Sequence, residues 1–267
     1  LQGGMDVILG HHGVRLSEAR LTLESIGDTL EAMSLVGRFG KSDDFRMKIA
    51  RRNTRLRQIT LSGGDSGAIL KGADFYTRVK GGSFTLNAEM IEGGKGPDMT
   101  GTVRMAKFRI VNEPALNSLL SSAKQKNAKP VSGKNVPFDK IRVQFSRRAG
   151  VLKFSKGLIA GPSIGATARG ELDNRNNTLL VSGTLVPAYG LNAALGKIPV
   201  LGMFLSGRKG EGLIGITFGI KGPREKPLIT VNPISALAPG FLRMLFEFRG
   251  EDKPAPKAAP SGGKLEK

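Results

Sequence analysis

Phe84-Thr85-Leu86-Asn87-Ala88-Glu89-Met90 alternates apolar and polar residues at every step. A period of two places one set of side chains on each face of an extended strand. The same alternation recurs at Phe45, Met47 and Ile49, broken by Arg46 and Lys48. It returns at Ile141, Val143 and Phe145, and again at Ile214, Ile216, Phe218 and Ile220. Each segment predicts a strand with one apolar and one wet face, the pattern of antiparallel sheets. Further strands are expected over Arg15–Leu23, Leu56–Leu61, Thr102–Val111, Val151–Phe154, Ile164–Leu172, Thr178–Val186 and Leu228–Val231. The alternation in Thr102–Val111 breaks at Ala106, which suggests a bulge. Arg148-Ala149-Gly150 and Asp173-Asn174-Arg175-Asn176 read as hairpin turns.

Helices are few. Asp65 can cap a short one that stops at Gly72. Asn112 can cap a second, with Pro114 in its first turn and Leu116, Leu119 and Leu120 on one face, running to about Lys124. Lys124 to Asn135 is polar and basic and reads as a loop. Short apolar helices are expected at Ala188–Leu195, Ile198–Leu205, Ile234–Leu237 and Gly240–Phe248. Residues 250–267 are rich in Lys, Pro, Ala and Gly and read as a disordered tail. The segments group as 1–98, a β segment with one short helix, 99–249, a β segment with helices, and that tail.

About a dozen amphipathic strands then face too few helices to cover them. A closed sandwich or barrel would let the sheet cover itself. An open curved sheet would leave an apolar groove. The alternation is compatible with both.

Composition narrows the function. There is no cysteine, which excludes disulfides, zinc–thiolate sites and thiol nucleophiles. The net charge is +19, favouring anionic partners: nucleic acid, phospholipid head groups or lipopolysaccharide. Stacking platforms for single strands need exposed aromatics among basic residues. The chain has no Trp and two Tyr, and its charge is diffuse, so no nucleic-acid partner is expected. Val186–Gly207 has the length of a membrane span, but Pro187, Pro199, Asn192, Lys197 and several glycines break it.

Chemistry-bearing motifs are sparse. His11 and His12 are the chain's two histidines. As neighbours they project to opposite sides of an extended chain, so they read as surface residues and no metal site is expected. Gly161-Pro162-Ser163-Ile164-Gly165 spells a serine elbow but leads into a strand-like run with no histidine near it. Neither a catalytic residue nor a cofactor is expected. Gly207-Arg208-Lys209-Gly210 is a basic turn that lacks the full phosphate-loop pattern; Arg208 and Lys209, with Arg243, are head-group candidates. Leu201, Met203, Phe204 and Leu205, and Phe241, Leu242, Leu245 and Phe246, make two helices apolar over most of their surface. Such helices are buried, or plug an apolar groove, or dip into a membrane surface.

The C-terminal third also carries a resemblance. Gly183-Thr184-Leu185-Val186-Pro187-Ala188-Tyr189-Gly190-Leu191-Asn192, Leu195-Gly196-Lys197-Ile198-Pro199-Val200-Leu201-Gly202 and Gly210-Glu211-Gly212-Leu213-Ile214-Gly215-Ile216-Thr217-Phe218 resemble the C-terminal region of AsmA-like envelope proteins. Val231-Asn232-Pro233-Ile234-Ser235-Ala236-Leu237-Ala238-Pro239-Gly240-Phe241-Leu242-Arg243 matches best. Thr100–Arg104 and Phe108–Leu116 fit the same pattern less specifically. The likeness is closest to the YhdP-type members and sharp over 178–243.

The resemblance implies a strongly curved, mainly antiparallel β-sheet with an open apolar groove and a few short apolar helices, mostly C-terminal. It implies a periplasmic location, in a protein held in the inner membrane of Gram-negative bacteria by an anchor outside these residues. It implies phospholipid as partner and transport towards the outer membrane as role. Phe84, Leu86, Ile141, Val143, Phe145, Ile214, Ile216 and Phe218 are then the expected groove or core lining. The rival expectation is a structural module that docks on an envelope protein partner without binding lipid.

Overall fold

The computed structural model describes residues 1–40, 43–93, 97–122, 134–162, 164–187 and 215–234. It contains one antiparallel sheet. Its strands are β1 (Gln2–Leu9), β2 (Arg15–Ile26), β3 (Thr29–Phe39), β4 (Asp43–Arg51), β5 (Leu56–Gly63), β6 (Val79–Lys80) and β7 (Ser83–Ile91). They continue as β8 (Asp98–Val111), β9 (Asn135–Arg148), β10 (Val151–Ala160), β11 (Ile164–Asp173), β12 (Thr178–Pro187), β13 (Gly215–Pro223) and β14 (Leu228–Ile234). All 14 strands belong to this sheet, and neighbours in sequence are neighbours in space, except that β6 extends β7's pairing along β8. The sheet is not closed: β1 and β14 are its two edges. It also runs unbroken through position 98/99, where Ile91 of β7 pairs with Asp98 of β8.

Two α-helices occur among the described residues, α1 (Ser66–Gly72) and α2 (Pro114–Ser122). The Asp65 side chain accepts the Ala68 backbone N–H at 3.0 Å, the capping bond expected of it. Ser66 is fully buried, and its hydroxyl donates to the Gly81 carbonyl at 2.5 Å, which ties α1 to the turn before β7. In that turn Gly82 has φ +81, and a Cβ there would meet the Ala106 carbonyl oxygen at 2.5 Å. Only glycine fits such a position.

Near the bulge expected at Ala106 the backbone turns to φ 56 at Lys107, but the ladder keeps its register: Ala106 pairs with Lys140 and Phe108 with Phe138, two residues on each strand. The register does shift in β10 between Ser155 and Leu158, with Lys156 at φ 50, and in β2 between Ser17 and Arg20, with Glu18 at φ 51.

Three expectations change. β1 and β3 were not foreseen, because Gly3 and Gly4 interrupt β1 and apolar residues such as Val36 fall on both faces of β3. β9 begins at Asn135, so it is longer than the segment around Ile141–Phe145. The last strand runs on through Asn232, Pro233 and Ile234, where a helix was expected to start. Proline lacks the N–H for a ladder bond, and β14 tolerates it as an edge strand. The expected helices Ala188–Leu195, Ile198–Leu205 and Gly240–Phe248 and the tail lie outside the described residues, as does most of Ile234–Leu237.

One hydrophobic cluster joins Leu16 of β2 to Leu185 of β12, with Ile229 and Val231 of β14 packed against it. Val136, Phe138, Phe108, Leu119 and Leu120 are buried in it. α2 leaves the end of β8 and packs against β14. The Arg224 guanidinium, in the β13–β14 turn, donates to the Phe75 carbonyl beside α1 at 3.3 Å.

Candidate functional site

Strand register lines up the apolar residues into rows across the sheet. One row runs Leu23, Met33, Ile49, Ile59, Ala88, Gly101, Phe145, Phe154, Gly170, Val181, Ile220, Ile229, from β2 to β14. No polar side chain interrupts it. A parallel row one step along runs Leu21, Leu35, Met47, Leu61, Leu86, Val103, Val143. Beyond the β10 bulge it resumes as Gly157, Ala168, Gly183, Phe218, Val231. A third runs Gly37, Phe45, Gly63, Phe84, Met105, Ile141, Ile159, Ala166, Leu185, Ile216, Pro233. Each step is a cross-strand apolar pair, the unit that stabilises a sheet face.

Burial grades along the strands. In the third row Phe84 is 6% exposed, Met105 7%, Leu185 2% and Ile216 1%. In the first row Phe145, Phe154, Val181 and Ile220 are half-buried. From β10 to β13 the apolar face is therefore more closed at the end nearer α2 than at the opposite strand ends, while Ile59 and Ala88 keep the first row buried on β5 and β7.

At those ends lies a mixed row: Arg51, Arg57, Met90, Met99, Arg147, Leu152, Leu172, Leu179. Arg51 pairs with Glu31 at 2.8 Å, and Arg57 pairs with Glu92 and donates to the Leu30 carbonyl at 2.6 Å. The Arg57 side chain is only 12% exposed, so that charge is neutralised in place.

The opposite face is polar over its centre, while Leu158 and Ala160 of β10 form a small buried apolar cluster on it. Its central part forms a concavity of about 980 Å³ lined by Asn87, Thr100, Thr102, Gln144, Ser146, Ser155 and Ser182, with Lys153, Glu171, Glu89 and Arg169. Lys153 and Glu171 form an ion pair there at 3.4 Å. Gly101, Phe145, Phe154 and Gly170, with Gln58, Ala88 and Leu180, complete the lining.

The structure separates the eight predicted lining residues. Phe84 and Ile216 are buried core; Leu86, Ile141, Val143, Phe145 and Phe218 are half-buried on the same face. Ile214 lies outside the described residues. So do Leu201, Met203, Phe204, Leu205, Phe241, Leu242, Leu245 and Phe246, and the head-group candidates Arg208, Lys209 and Arg243. Ser163 is likewise outside them. Sequence reasoning missed Phe154 and Arg147 as members of this face. Both stand next to hairpin turns, where the phase of a short strand is hard to carry across.

No protein-family model, no curated protein and no solved structure matches the chain.

Other titratable groups serve the frame. His12 Nε2 lies 2.7 Å from the Asp74 carboxylate, which this hydrogen bond holds below the usual carboxylate range. Burial, then the hydrogen bond to Glu113, pushes the Tyr76 hydroxyl far up, so it stays a neutral donor to that carboxylate. Among the described residues no group of three or more His, Cys, Asp or Glu could hold a metal ion. No helix among them is long and apolar enough to cross a membrane.

The β11–β12 turn yields a pH prediction. Asp173 accepts Arg175 Nε at 3.1 Å and Nη2 at 3.0 Å, the Arg175 backbone N–H at 3.0 Å and Asn176 Nδ2 at 2.9 Å. The Arg175 side-chain bonds contribute most to holding its carboxyl well below the usual carboxylate range. A depressed carboxylate stabilises the fold above its unfolded pKa and loses that contribution as pH falls through the folded one. Amide exchange in this hairpin, taken relative to the intrinsic exchange rate at each pH, should accelerate on acidification below about pH 4. D173N should remove that acid-dependent acceleration.

Proposed function

We propose that this chain is a lipid-handling segment of an AsmA-like, YhdP-type envelope protein. It binds phospholipid acyl chains on the apolar face of its sheet and assists phospholipid transport between the inner and outer membranes. It does so in the periplasm, as part of a protein anchored in the inner membrane. It catalyses no reaction and needs no cofactor.

The observation that carries this reading is the set of apolar rows. Twelve strands contribute to one uninterrupted row, and much of it is only half-buried. An apolar surface of that extent left partly open needs a covering partner. The reading takes the sheet as strongly curved. Two contacts support that curvature: α2, from the end of β8, reaches β14, and Arg224 reaches Phe75 across 149 residues of sequence. Six strand spacings of about 4.8 Å would otherwise separate β8 from β14 by roughly 29 Å.

The test is native mass spectrometry of the gently purified protein, followed by organic extraction. Stoichiometric phospholipid is expected. Phe145→Glu or Phe154→Glu should reduce it severalfold while cooperative unfolding persists. A folded chain that carries no lipid and takes up none from offered phosphatidylglycerol would overturn the reading and favour a lipid-free assembly module.

A further inference from the structure

Arg147 breaks the outermost row of the apolar face. Register places it between Met99 of β8 and Leu152 of β10, with Phe145 two residues along its own strand on the same face. Facing residues on neighbouring strands stand about 5 Å apart, so its stem is flanked by apolar side chains. Arg147 as a whole is exposed.

The other arginines of this region are satisfied. Arg51 has Glu31, Arg57 has Glu92, and Arg148, pointing to the polar face, has Asp98 at 2.8 Å. Arg147 has no carboxylate partner among the described residues. A long cationic side chain that lays its stem on apolar surface and holds its head in water is complementary to a molecule with a tail and an anionic head.

The dimensions agree. From Arg147 inward to Ile141 the strand advances six residues, about 20 Å at ~3.3 Å per residue. One acyl chain spans roughly half of a ~30 Å hydrocarbon core, so it fits between Arg147 and Ile141.

We propose that Arg147 is the anion-binding residue of the apolar face and selects amphiphiles with a negatively charged head group over uncharged ones with the same tail. This rests on the reading of that face as an acyl-chain surface. A tail lies along Phe145 and Val143 towards Ile141, and the phosphate accepts hydrogen bonds from the guanidinium at the strand ends.

The experiment compares lysophosphatidylglycerol with the monoacylglycerol of the same acyl chain. Binding to the full 267-residue chain is measured by titration calorimetry below micelle-forming concentrations. Wild type should prefer the anionic amphiphile by about tenfold or more, the scale of one charge-assisted hydrogen-bonded contact. Arg147→Gln should erase the preference by weakening lysophosphatidylglycerol binding about tenfold; Arg147→Glu should reverse it. A preference that survives in Arg147→Gln overturns the assignment while leaving the acyl-chain reading standing. If neither amphiphile binds the wild type, that reading falls and the assignment with it. Displacement of the anionic amphiphile by equimolar inorganic phosphate would also overturn it, because Arg147 would then hold a free anion.

Discussion

Ile216→Asp should unfold the protein under conditions where Ile216→Val leaves it folded. Ile216 is 1% exposed, paired with Leu185 on β12 and Pro233 on β14. Aspartate there has no cation in its row: its register neighbours are Leu185, Ala166 and Ile159 on one side and Pro233 on the other. An ionised carboxylate in such a place either remains charged without a partner or binds a proton at neutral pH, and both are costly. A loss of at least about 4 kcal/mol is expected, against about 0.5–1.5 kcal/mol for Ile216→Val. The whole stability of a domain is about 5–15 kcal/mol, so the first change consumes most of it. Urea denaturation followed by far-ultraviolet circular dichroism reads both. The contrast also fixes which charged variants report on ligand binding. A glutamate at Phe145 or Phe154 meets water and tests the surface; an aspartate at Ile216 tests only the fold.

Much of the architecture was legible from period-two alternation, because the apolar and wet faces are distinct over most strands. Phe84–Met90 illustrates why: every odd-even step matches the pleat, and the register then sets Leu86 beside Leu61 and Val103. Where local pattern and pairing disagree, the sequence misleads. Gly3 and Gly4 carry no side-chain signal, yet β1 pairs with β2 throughout its length. Pro233 reads as a helix start, and its place at the sheet edge overrides that preference.

The site was less legible than the fold. Eight lining residues were expected as one class. Exposure divides the seven described ones into buried and half-buried groups, a division that periodicity does not encode. Arg147 shows the same limit. In sequence it is one of two adjacent arginines before a turn, with nothing to distinguish it from Arg148. Register assigns them to opposite faces and gives only Arg148 a carboxylate. The function of each follows from pairing partners distant in sequence: Met99 and Leu152 for one, Asp98 for the other.

Phe138→Ala should cost about 3–5 kcal/mol and loosen the more closed end of the apolar face. Phe138 is 4% exposed and Phe108 is 2% exposed, and they face each other across β9 and β8. Their rings stack at a centroid distance of 5.3 Å with 15° between planes. Glycines make room on both sides. A Cβ at Gly82 would come within 2.7 Å of Phe108 Cβ, and one at Gly161 within 3.2 Å of Phe138 Cα. The neighbouring cluster members Leu119, Leu120 and Val136 are themselves buried, so a truncated ring leaves a void that α2 can only partly fill. The ring–ring contact is separable from burial by a double-mutant cycle. Phe108→Ala and Phe138→Ala together should fall short of the sum of the single losses by about 0.5–1.5 kcal/mol. Additive losses would mean that the two rings contribute only as independent apolar volume. Because α2 packs against β14 as well, amide exchange in β14 should rise in Phe138→Ala well before global unfolding. Exchange confined to β8 and β9 would show instead that α2 keeps its hold on the far edge without these rings.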